Sequence, residues 1–112
     1  MTITEKYVAE LKNRLAIMKP RIDEIDLDKV KAIVEKYDQW IETLNDDDFD
    51  KKEYEAHLDI GSSIEQISWW LKLYKESEDI YAEYENARLI NKELNYLKEF
   101  YPQFNMAKIL KG

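Results

Sequence analysis

The chain has 112 residues, a single domain by length, with 17 Lys and Arg against 24 Asp and Glu, for a net charge of −7. The absence of cysteine and the presence of only two glycines exclude a disulfide scaffold, a thiolate zinc site and a phosphate-cradling glycine loop. A hydrophobic content of 45% suffices for a core, and the acidity opposes direct nucleic-acid binding.

Met1 to Lys6 has no apolar leader character. No stretch approaches the roughly 20 apolar residues of a membrane span. The expectation is a cytoplasmic protein with no membrane contact. The first element opens at Thr2-x-x-Glu5, a capping box in which hydroxyl and carboxylate satisfy free backbone N–H groups. Val8, Leu11, Leu15, Met18, Ile22 and Ile25 follow at helical spacing. Pro20 lies inside this stripe and predicts a kink, with a break as the alternative.

Asp26 is placed as the next N-cap, bracketed by Ile25 and Val30 as a hydrophobic staple. The second stripe runs through Val30, Ile33, Val34, Tyr37, Trp40, Ile41 and Leu44, with Asn45 as a left-handed stop. Asp46 to Asp48 form a loop. Asp50-x-x-Glu53, with Phe49 and Tyr54 around it, starts a third helix carrying Ile60, Ile64, Ile67, Leu71 and Tyr74. Gly61 interrupts that stripe, and Gly61 with Ser62-x-x-Glu65 is an alternative helix boundary. The last stripe is Ile80, Tyr84, Ala87, Ile90, Leu94, Leu97 and Tyr101. Residues 1–101 thus form one helical domain, and 102–112, after the break at Pro102, are a short tail. No alternating strand pattern occurs, so the fold class is all-α, a small bundle of about four helices.

Residues 62–101 allow two chain paths. A turn near Ser77, with Ser77 as N-cap and Glu78 and Asp79 in the first turn, closes an up-and-down four-helix bundle. An uninterrupted helix would instead run roughly 57 Å, too long for its neighbours to cover, and would require a second copy of the chain. Trp69 lies roughly opposite Ile67 on the helical wheel and Leu73 about 120° away, so this segment is apolar on two faces. That slightly favours the homodimer.

The chemical motifs are weak. Asp46, Asp48 and Asp50 have the spacing of an EF-hand, but Lys51 and His57 occupy the positions that need Gly and Glu. His57 has Tyr54, not Glu, three residues before it, and it is the only histidine, which argues against a di-iron site. The serines lack a nucleophile context. No catalytic residue, metal or cofactor is expected. Asn91 and Arg88 sit on or beside the last stripe, where a polar residue can fix register.

The acids are grouped at Asp23 to Asp28, Glu42 to Glu55 and Glu76 to Glu85. In the four-helix path the first and third groups share one pole. Acids at helix starts often serve only the helix dipole. Together with an exposed Trp69, however, they describe a surface that steers and selects a basic partner protein. The expected protein-binding residues are Asp46, Asp47, Asp48, Asp50, Trp69, Leu73, Glu76, Glu78 and Asp79. By analogy of size and charge, the expected role is a regulator or inhibitor, of the kind phages and mobile elements direct at nucleic-acid enzymes. The competing role is assembly through helical self-association.

Overall fold

The computed structural model describes residues 2–43 and 51–112, with 51–53 described through their backbone alone. Four helices form: α1 (Ile3–Asp23), α2 (Leu27–Glu42), α3 (Lys51–Glu76) and α4 (Ile80–Phe100), followed by a short 3₁₀ turn at Met106–Ile109. The all-α expectation holds. The Asp46 to Asp48 loop, the Asn45 stop and the capping contacts of Asp50 and Glu53 lie outside the described residues. Within them, α2 already ends at Glu42, with Thr43 as its C-cap.

The helix starts follow local chemistry. Thr2 Oγ1 accepts from Glu5 N–H at 3.1 Å, and Thr2 N–H donates to the Glu5 carboxylate at 3.2 Å, completing the capping box. Asp26 accepts from the N–H groups of Asp28 and Lys29, while Ile25 and Val30 are both buried. α1 continues through Pro20 to Asp23. Gly61 neither ends nor starts a helix. A Cβ there would lie 3.1 Å from Cγ of Tyr37, so its bare backbone is what lets α2 approach α3.

The chain turns at residues 77–79, which corrects the continuous-helix path and removes the helix that would have required a second chain. Ser77 is not the cap. Its hydroxyl donates to Leu73 C=O at 2.7 Å and accepts from Asn86 Nδ2 at 3.3 Å. Asp79, accepting from Ala82 N–H at 2.8 Å, is the N-cap.

The connectivity also departs from an up-and-down bundle. α3 and α4 form an antiparallel hairpin, and α1 packs along α4. Tyr7 stacks on Tyr81 near the start of both helices, and Arg21 reaches Asn91 and Asn95 near their ends, so α1 runs parallel to α4. α2 packs antiparallel on the first half of α3, with Trp40 against Tyr54 and His57. Hence α1 and α2 run in the same sense, α1 along α4 and α2 along α3. The result is a rod of 64 × 24 × 24 Å with a radius of gyration of 16.8 Å. A compact chain of this length would have about 13 Å.

The acidic groups at Asp23 to Asp28 and Glu76 to Asp79 approach each other at Tyr74, whose phenol is raised by burial and then by the charges of Asp23 and Glu83. The first sits beside the C-terminal tail, where Lys111 N–H donates to Glu24 C=O at 2.8 Å. The second sits in the hairpin turn. The core is the expected stripes interlocked: Leu15, Ile22 and Ile25; Ile60, Ile64, Ile67 and Leu71; Ala87, Ile90, Leu94 and Leu97. Ile109 of the tail joins it with no exposed surface. Each such Leu or Ile contributes about 2 kcal/mol through burial.

Candidate protein-docking surface

α3 buries Ile60, Ile64, Ile67, Leu71 and Tyr74, so a different stripe must face out. That stripe contains Glu65, Trp69, Leu73 and Glu76, at spacings of four, four and three. Trp69 is 58% exposed at its centre. Leu73 is half-buried, and Glu65 and Glu76 are exposed. The neighbouring Trp70 turns inward against the core. The pair thus splits as their positions on the wheel require.

Beside Trp69 runs a groove of about 540 Å³, lined by Val34 of α2 and by Ser62, Glu65, Gln66, Trp70 and Lys72 of α3 among others. A single exposed tryptophan is unremarkable, but one set beside a groove and between carboxylates is a shaped surface. Of the expected binding residues, Trp69, Leu73 and Glu76 fall on this face. Glu78 and Asp79 are exposed in the adjoining turn, with the Asp79 carboxylate engaged as a cap. Asp46, Asp47, Asp48 and Asp50 lie outside the described residues.

No family model, curated protein or solved structure matches this chain. The surface must therefore be interpreted from its chemistry. Among the described residues no cluster of three or more His, Asp or Glu could hold a metal ion. No described helix is long and apolar enough to cross a membrane.

Two features escaped the sequence reading. Asp59, half-buried on α3, accepts from the hydroxyls of both Tyr96 and Tyr101. These hydrogen bonds to a carboxylate push both tyrosines above their usual titration range, because ionising either would set two anions side by side. Burial raises Tyr37 in the same direction. The second feature is a groove between α2, His57 and the tail, walled by lysines. By contrast, Asn91 was signalled by its stripe position: with Asn95 it accepts from Arg21, at 2.8 and 2.7 Å, pinning α1 to α4. Arg88 faces solvent and pairs with Glu85, whose carboxyl it holds below the usual range.

Proposed function

We propose that this is a cytoplasmic protein-binding regulator or inhibitor that docks the Trp69 face of α3 onto a basic site of a partner protein. The observation that carries this reading is Trp69 itself, 58% exposed at the centre of an outward stripe and next to a groove. Exposed tryptophans in such settings act as binding anchors, and their loss costs about 2 kcal/mol or more of affinity. Glu65 and Glu76 flank Trp69 on the same face, and Glu78 follows in the turn. Together with the net charge of −7 they favour a partner whose rim is Lys and Arg. A nucleic-acid enzyme supplies such a rim, which supports the inhibitor reading by charge alone.

The test is affinity capture with tagged protein at low and high salt, repeated with Trp69→Ala and with Glu76→Lys/Glu78→Lys. The reading expects a basic partner that is lost as salt rises and lost in both variants. A partner retained by both variants refutes it. Self-association that depends on Trp69, with no partner, assigns the face to assembly instead.

A further inference from the structure

The two ends of the rod are built differently. At the hairpin end α1 packs on α4, which packs on α3. At the other end α4 stops at Phe100, level with Asp59 of α3, because the Asp59 carboxylate takes both Tyr96 and Tyr101. α2 lies along α3 with Tyr37 against Gly61, and the tail packs back on α2. The side of α2 that faces the tail carries Lys29, Ile33, Lys36, Tyr37 and Trp40. These positions share one helical face about 16 Å long, which is three turns. With Phe104 and Lys108 of the tail on the opposite wall, they enclose an open groove of about 510 Å³.

The charge of this groove is the reverse of the chain's. Acids outnumber bases 24 to 17 overall, yet among the described residues no carboxylate lines the groove and three lysines do. Lys29 is held at one end, its ammonium donating to Leu110 C=O at 2.7 Å and to Gly112 C=O at 3.3 Å. Lys36 on one wall and Lys108 on the other are exposed and make no ion pair among the described residues. The floor between them is apolar and aromatic, with Ile33, Tyr37, Trp40 and Phe104 all half-buried.

We infer that this groove receives an acidic amphipathic α-helix of a partner protein, which lies along α2 between it and the tail. A helix laid along three turns presents apolar side chains at i, i+3 or i+4 and i+7 to such a floor. Its carboxylates, on both shoulders, meet Lys36 on one side and Lys108 on the other. The open, elongated shape suits a helix better than a small molecule, which binds in an enclosed pocket. The site is on a different surface from Trp69 and does not depend on the function proposed above.

The experiment titrates the full-length protein into a fluorescein-labelled synthetic helix of about four turns, with Leu and Trp on one face and Glu elsewhere. A twin peptide with Lys in place of every Glu is the control. The acidic peptide binds, the basic one does not, and binding weakens with salt. Lys36→Glu/Lys108→Glu lowers affinity about ten-fold or more, with an unchanged circular dichroism spectrum because both side chains are exposed. Equal binding of the two peptides overturns the inference, as does undiminished binding by the double variant. Failure to bind the acidic peptide also overturns it. In that case a concentration-dependent dimer that the double variant loses would assign the groove to a second copy of the chain.

Discussion

Replacing Ile109 with alanine tests whether the tail belongs to the cooperative core. Ile109 has no exposed surface and packs into the main cluster. The backbone around it is tied down: Asp26 N–H donates to Ile109 C=O at 2.8 Å, and Lys111 N–H to Glu24 C=O at 2.8 Å. With the tail fixed in this way, the site has little freedom to collapse around a smaller side chain. The expected cost of Ile109→Ala is about 3 kcal/mol, within the usual range for such truncations. A chain of 112 residues has about 6–17 kcal/mol in total, so this is a large share. With an unfolding entropy of about 2.1 cal/mol/K per residue, it corresponds to a fall in Tm of about 13 °C. Urea unfolding followed by tryptophan fluorescence, together with calorimetry, measures both quantities. Lys108→Ala, on the same turn but exposed, should change stability by about 0.5 kcal/mol or less. A loss below about 1 kcal/mol for Ile109→Ala would refute the reasoning. So would an unchanged Tm for a chain ending at Tyr101.

The Asp59 clamp predicts an alkaline limit. Tyr96 and Tyr101 titrate above their ordinary value of 10.0 in the folded chain, so the unfolded chain gives up these protons first. Their contribution is complete below about pH 10 and is lost progressively as the pH rises from there through their raised folded values. Stability measured from pH 8 to 11 should fall at the upper end, and less steeply in Tyr101→Phe; identical slopes would contradict the clamp. Arg21→Ala should cost about 2 kcal/mol, since it removes two charge-assisted hydrogen bonds and leaves Asn91 half-buried. In a double-mutant cycle with Asn91→Leu the coupling should exceed about 0.5 kcal/mol, and additivity would show that the two residues do not act together.

Helix starts were legible wherever the signal spans three or four residues. Thr2 with Glu5, and Asp26 with its flanking Ile25 and Val30, read directly from spacing. The stripes that form the core were legible for the same reason. The turn at 77–79 was only half legible: Ser77 and Asp79 both have capping side chains, and the choice depends on Asn86 approaching Ser77 from the next helix. The direction of α1 relative to α4 was not legible, because it is set by Tyr7 on Tyr81 and Arg21 on Asn91, pairs separated by 70 positions or more. Trp69 was found because a wheel suffices to place it. The lysine groove was missed because its walls come from three separate segments, and the Asp59 clamp because its members are 37 and 42 residues apart.

The uneven distribution of the core gives the rod a gradient of local stability. Buried side chains lie between Leu11 and Val30, between Ile60 and Tyr74, between Ala87 and Leu97, and at Ile109. Neither 31–43 of α2 nor 54–59 of α3 contains one among the described residues. Amide hydrogens there should exchange by local opening, well before those of Leu71 or Leu94, which wait for global unfolding. That end of the molecule can therefore adjust its shape at small cost while the hairpin end stays fixed. Any occupant of the lysine groove would register as slowed exchange along α2.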